Sequence, residues 1–161
     1  MIEELGQILT NKNLTIAFAE SCTGGLASSL ITDVPGSSAY LKGSVVSYTN
    51  EVKHKVLGVK SETLDKFGAV SKETAKEMAV GVKHLMQTDF GISITGNAGP
   101  GASEDKPVGL VYVAVACHKK VEIRKLQLKG SRTENKQKAV QKAFALLYRV
   151  VLHKIETEEN E

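Results

Sequence analysis

Short apolar runs that read as buried strands alternate along this chain with stretches of helical period, and that alternation constrains the fold more than any other feature. Residues 2–12 read as a helix with Leu5, Ile8 and Leu9 on one face. Leu14 to Ala19 reads as the first strand, and Leu26, Ala27, Leu30 and Ile31 place a helix over 23–32. The turn around Pro35-Gly36 breaks the pattern. Gly43 to Thr49 reads as the second strand and 50–57 as a short helix capped by Asn50. Two further helices have Ser61 and Ser71 as caps, and the second, over 71–87, turns Ala75, Met78, Ala79, Val82, Leu85 and Met86 inward. Phe90 to Thr95, Val108 to Cys117 and Val121 to Leu128 read as the third, fourth and fifth strands. The tight turn near 118–120 makes the last two antiparallel. A final helix over 133–155 carries Val140, Phe144, Leu147 and Val151 on one face. The expected fold class is α/β: a three-layer α/β/α sandwich with a mixed, mostly parallel five-stranded sheet, in one domain over 1–161.

Composition narrows the function classes. The net charge of +3 does not call for nucleic acid, and 5% aromatic residues without tryptophan give no platform for stacking single-stranded bases. No apolar run approaches the roughly 18 residues of a membrane helix, and the start Met1-Ile2-Glu3-Glu4 lacks a secretory signal, so no membrane partner and a cytoplasmic address are expected. Cys22 and Cys117 stand far apart and form no metal or redox pair, and the histidines at 54, 84, 118 and 153 show no ligand spacing.

In an open α/β sheet, ligands bind beyond the carboxyl ends of the strands, where Ser21, Tyr48 and Thr95 are all expected. The segment Glu20-Ser21-Cys22-Thr23-Gly24-Gly25 joins the first strand to a helix. A hydroxyl there could attack a carbonyl while unpartnered amides at the helix start hold the oxyanion; it could equally be an N-cap followed by a tight turn. Lys53 projects between Val56 and Leu57, inside the apolar stripe that these form with Val52. Desolvation there would favour the neutral amine and make it a general base; a lysine snorkelling to water is the other reading. Gly96-Asn97-Ala98-Gly99-Pro100-Gly101 fits neither a P-loop nor a dinucleotide fingerprint, and reads either as a loop that lets amides approach a phosphate or as a plain tight turn. Arg132, before the last helix, is a phosphate clamp or a surface charge. Cys22 reads as a packed thiol rather than the nucleophile, and Glu20 as orienting a cation or capping the strand end.

Seven blocks together carry a resemblance: Ala19 to Gly25, Pro35 to Ser38, Tyr48 to Lys53, Leu57-Gly58-Val59, Gly68 to Ser71, Thr95 to Pro100, and Lys106-Pro107-Val108-Gly109. In this order, and over nearly the whole chain, they resemble the CinA C-terminal domain family, which includes bacterial nicotinamide mononucleotide (NMN) deamidases. The resemblance is to the stand-alone form. It implies hydrolysis of the NMN carboxamide to nicotinate mononucleotide and ammonia by a serine–lysine dyad, with no metal and no cofactor. It implies Ser21 as nucleophile, Lys53 as base and Tyr48 as a residue that supports the dyad; in the mechanism expected from this, Tyr48 would relay the proton returned by Lys53. Cys22, Thr23, Gly24, Gly25, Thr95, Gly96 and Asn97 would line the substrate site, and Arg132 would bind the anion. It also implies a homo-oligomer with a small-molecule substrate as its partner.

Three segments depart from the family pattern. Asn97 stands where an aliphatic residue is common, the 101–105 loop is shorter and poorer in glycine, and Ser131 replaces the aspartate of Gly-Asp-Arg. These departures bear on phosphate contacts more than on the dyad. They define the alternatives: a catalytically weak nucleotide-binding or regulatory module of the same fold, or an amidase acting on another small amide.

Overall fold

The computed structural model describes residues 1–160. In chain order the elements are α1 (Ile2–Asn11), β1 (Ile16–Glu20), α2 (Leu26–Thr32), a 3-10 turn (Ser37–Ala39), β2 (Leu41–Val46), α3 (Asn50–Leu57), α4 (Ser61–Phe67), α5 (Lys72–Met86), β3 (Phe90–Gly96), β4 (Leu110–Cys117), β5 (Lys120–Gln127) and α6 (Arg132–Glu159). The sheet order is β2-β1-β3-β4-β5. β1 pairs in parallel with β2 and β3, whereas β3–β4 and β4–β5 are antiparallel. Strands β1, β2, β3 and β5 therefore run one way and β4 against them, while the pairings divide evenly between the two kinds. Among the described residues no helix is long and apolar enough to cross a membrane.

Side-chain size separates the two faces of the sheet. Successive strand residues point to opposite faces. Ile16, Phe18, Ile92, Ile94, Val113 and Val115 face α1, α2 and α6, where Phe18 meets Phe144 edge-on at 6.1 Å between ring centroids. The opposite face carries Ala17 and Ala19 against Met78 and Val82, and Ala114 and Ala116 against Ala75 and Ala79. These small residues let α5 lie close to the strands. A Cβ on Gly91 would come within 2.1 Å of the Ala79 carbonyl oxygen, and one on Gly81 within 1.9 Å of that of Leu57. Ser93, fully buried on this face, donates its hydroxyl to the Ala75 carbonyl at 2.6 Å.

Several boundaries differ from expectation for local reasons. The helix expected from 23 begins at Leu26, because Gly24 (φ 61°) and Gly25 (φ 106°) take left-handed conformations that belong to a turn. β2 lies earlier than expected, and Ser47 to Thr49 leave the sheet. Thr49, not Asn50, caps α3, accepting from the Val52 amide at 3.3 Å. Ser71 caps α5 as expected, whereas the cap position of α4 is Lys60 rather than Ser61. Val56 and Leu85, expected inward, are 43% and 50% exposed and border one surface groove between α3 and α5. Lys53 and Leu57 occupy the inward face of α3, as expected.

Candidate active site

The carboxyl ends of β1, β2 and β3, the start of β4 and the loop after β5 lie at one end of the sheet. They enclose a cleft of about 510 Å³. Ser21, Cys22, Tyr48, Lys53, Thr95, Gly96, Asn97 and Arg132 all line it, from segments far apart in sequence.

Ser21 follows directly on β1 and remains tied to the sheet, its amide donating to the Ile94 carbonyl at 3.0 Å. Lys53 reaches it from α3. Its Nζ donates to Ser21 Oγ at 3.0 Å, to the Ser47 carbonyl at 2.7 Å and to the Tyr48 carbonyl at 3.4 Å. The early end of β2 frees those two carbonyls from the sheet and turns them toward the lysine. Lys53 is 1% exposed, and burial pulls its pKa down to about 8, against weaker opposition from Cys22 and Glu104. Loss of one proton leaves two N–H groups for the two carbonyls and a lone pair facing Ser21 Oγ, whose O–H then donates. The pair thus has the geometry of a hydroxyl and its base.

Glu20 anchors the turn that carries the serine. Its fully buried carboxylate accepts from Thr23 Oγ1 (2.7 Å), the Ala27 amide (2.9 Å), and the amide (3.0 Å) and hydroxyl (2.6 Å) of Ser28. It therefore caps the start of α2 and, among the described residues, pairs with no cation. The helix-start amides expected to hold an oxyanion are already occupied. The Gly24 and Leu26 amides are likewise taken, by the Ser21 and Thr23 carbonyls. Among the described residues the Cys22 amide donates to no backbone carbonyl and lies beside its own thiol, next to Ser21 in the cleft lining. Thr23, Gly24 and Gly25 do not line the cleft, contrary to expectation: the Thr23 side chain is drawn to Glu20, and the glycines form the turn behind Ser21. Burial pushes the Cys22 thiol up to about 11, which keeps it protonated and a poor nucleophile.

Tyr48 is 60% exposed, and its phenol oxygen accepts from Arg132 Nη2 at 3.1 Å. Its tie to Lys53 runs through its backbone carbonyl, so a proton relay through the phenol has no geometric basis here. Arg132 Nη1 donates to the Gly99 carbonyl at 2.7 Å. Both of its partners are neutral, so the guanidinium carries an uncompensated positive charge at the cleft wall. Ser131 caps α6: its hydroxyl accepts from the Glu134 amide, and the Glu134 carboxylate accepts from the Ser131 amide.

Asn97 faces the adjoining loop. Its amide donates to the Ser103 and Lys106 carbonyls and accepts from the Ser103 amide and hydroxyl. Thr95 donates to the Ala69 carbonyl at 2.9 Å. The same wall contains residues that sequence reasoning missed. Glu104 accepts from the amides of Ala69 (2.7 Å) and Val70 (3.0 Å) and pairs with Lys106 at 3.2 Å. Partial burial works to raise the Glu104 pKa, but those amides and Lys106 outweigh it and hold the carboxyl below its usual range. No spacing rule joins Glu104 to residues 69 and 70. Asn135, buried beneath the cleft, was legible in principle: it continues the inward stripe of Ala139 and Ala143 by helical period.

Sequence and fold together match a known family. Residues 1–151 match the model of the CinA C-terminal domain, and the chain belongs to that family. A relative in Halothermothrix orenii that bears the competence-damage inducible name is 53% identical over 91% of this chain and 36% of its own. A CinA-like protein of Endomicrobium trichonymphae is 52% identical over 92% of this chain and 35% of its own, so the chain spans about a third of the length of these relatives. Among solved structures, a CinA superfamily protein from Enterobacter cloacae superposes with a TM-score of 0.90 at 32% identity, covering 93% of this chain and 89% of that one. A competence/damage inducible protein from Agrobacterium tumefaciens gives 0.84 at 40% identity, covering 91% and 93%.

Proposed function

We propose that this chain is an amidohydrolase that cleaves the carboxamide of NMN to nicotinate mononucleotide and ammonia, with Ser21 as nucleophile and Lys53 as base. The contact of 3.0 Å between Lys53 Nζ and Ser21 Oγ, inside a cleft that also presents Arg132, carries this reading. Neutral Lys53 takes the Ser21 proton as Oγ bonds to the carboxamide carbon. The carbonyl oxygen becomes an oxyanion held by the Cys22 amide, the backbone donor next to Ser21 in the cleft lining. The C–N bond then breaks, Lys53 returns the proton to the departing nitrogen, and ammonia leaves an ester on Ser21. Lys53 next deprotonates water, which attacks the ester; Ser21 Oγ departs and regains the proton. Arg132 supplies the positive charge for the phosphate.

The test is incubation of the purified chain with NMN, with both products identified. Wild type should release equal amounts of nicotinate mononucleotide and ammonia, and Ser21→Ala should lower turnover by about a thousandfold or more while the protein stays folded. Tight NMN binding without ammonia would replace this reading with a binding module. Ammonia from other amides but not from NMN would replace the substrate.

A further inference from the structure

The two segments that flank Arg132 are joined by a buried residue outside the cleft lining, Asn135. We propose that Asn135 is a positioning residue for the cleft's anion-binding arginine, so that it governs recognition of the substrate's phosphate rather than the chemical step. This rests on the amidohydrolase reading above.

Asn135 is 1% exposed in the first turns of α6, and its side-chain amide is committed on both sides. Nδ2 donates to the Ala98 carbonyl at 3.0 Å and to the Gly130 carbonyl at 3.0 Å, and Oδ1 accepts from the Gly130 amide at 2.9 Å. One planar group thus joins the glycine-rich loop after β3 to the turn before α6. These are the two segments that fix Arg132. The 130–131 turn leads directly into it, and Gly99, next to Ala98, supplies the carbonyl that its Nη1 grips at 2.7 Å. The approach is close: a Cβ on Gly130 would lie 3.2 Å from Asn135 Oδ1 and 2.9 Å from Glu134 Cβ. A side chain at 130 would press the turn away from the asparagine.

Ser21 and Lys53 are held by other groups, with one link back to the arginine: the Tyr48 carbonyl accepts from Lys53 at 3.4 Å while its phenol accepts from Arg132. Their supports are the Ile94, Ser47 and Tyr48 carbonyls and the Glu20 cap, none of which Asn135 contacts. Lys53 keeps its shorter bonds to Ser21 and the Ser47 carbonyl whatever Arg132 does, so loosening the amide frees Arg132 with little effect on the dyad. A phosphate group reads the arginine and a bare riboside does not, so the two substrates separate this role from general support.

The experiment compares NMN with nicotinamide riboside in wild type, Asn135→Ala and Asn135→Asp. The aspartate keeps the size and the bond from the Gly130 amide but loses both donations and sets a buried carboxylate against two carbonyls, so it is the harsher variant, and the two substrates are compared within each variant that folds. Each variant should raise KM for NMN about tenfold, leave kcat within about twofold, and leave kcat/KM for the riboside unchanged. In an Arg132→Ala background neither substitution should raise the KM for NMN further. Equal losses on both substrates, or none on either, would overturn the proposal. Relaxation of the Arg132 guanidinium 15Nε gives a readout independent of turnover: ordered like the backbone in wild type, mobile in the variants. If wild type fails to deamidate NMN, the functional reading fails, and this measurement still decides whether Asn135 positions Arg132; an equally ordered guanidinium in wild type and variants would refute it.

Discussion

The lysine beside Ser21 works because its surroundings divide its hydrogen-bonding capacity. Two carbonyls take two donors and leave the third position for the hydroxyl. With a pKa of about 8, about a tenth of Lys53 is neutral at pH 7. Lys53→Arg keeps the charge but cannot give up a proton at any working pH, so turnover should fall by about a thousandfold without loss of fold, as read by ammonia release and circular dichroism. A second single-residue prediction lies far from the cleft. The buried Tyr40 hydroxyl makes no hydrogen bond among the described residues, and a Cβ on Gly6 would lie 2.5 Å from it. Tyr40→Phe should leave stability unchanged or raise it by about 1 kcal/mol in urea denaturation, since it removes an unpaired polar group. Gly6→Ala should cost about 1–3 kcal/mol through overpacking.

Among the elements, α2 and α5 show how the sequence spends its small and charged residues. α2 begins after a turn that only glycines relax into, and a strand-end carboxylate, not a local Ser or Asp, satisfies its first amides. Glu20→Ala should therefore destabilise the protein by about 2 kcal/mol or more and lower kcat together, because the turn it holds presents Ser21. Loss of stability with kcat unchanged would separate the cap from the site. α5 sits close to the sheet because alanine, serine and glycine face it. Gly91→Ala, which would drive a methyl toward the Ala79 carbonyl, should cost about 1–3 kcal/mol by chemical denaturation.

For the molecule as a whole, parallel β1, β2 and β3 bring three carboxyl ends to one rim, and the β4–β5 hairpin returns the chain there to deliver Arg132. Much of this was legible. The strand–helix alternation, the β4–β5 hairpin and the inward Lys53 follow from periodicity and turn length. What was not legible depended on groups that carry no periodic signal. Ser47 and Tyr48 read as strand, yet their carbonyls serve the lysine; Thr23 reads as a substrate contact, yet its hydroxyl belongs to Glu20. Val56 and Leu85 fit helical stripes, but the sheet is already covered by alanine-lined contacts and leaves them at the surface. The buried lysine also marks global stability. Its native pKa lies below its unfolded value of 10.5, so the unfolded chain binds more protons between about pH 8 and 10.5. Its contribution to stability is fully present above 10.5 and is lost as the pH falls through about 8. Wild type should gain stability relative to Lys53→Met across that window; parallel curves for the two would contradict the burial of an ionisable amine.

The most direct test of the Ser21–Lys53 dyad is the pH dependence of ammonia release from NMN at saturating substrate. The rate should rise about tenfold per pH unit below about 8 and level off above it as Lys53 loses its proton, and Lys53→Ala should abolish that limb along with most of the turnover. A rate independent of pH across this range, or a limb that survives in Lys53→Ala, would contradict the lysine as the base.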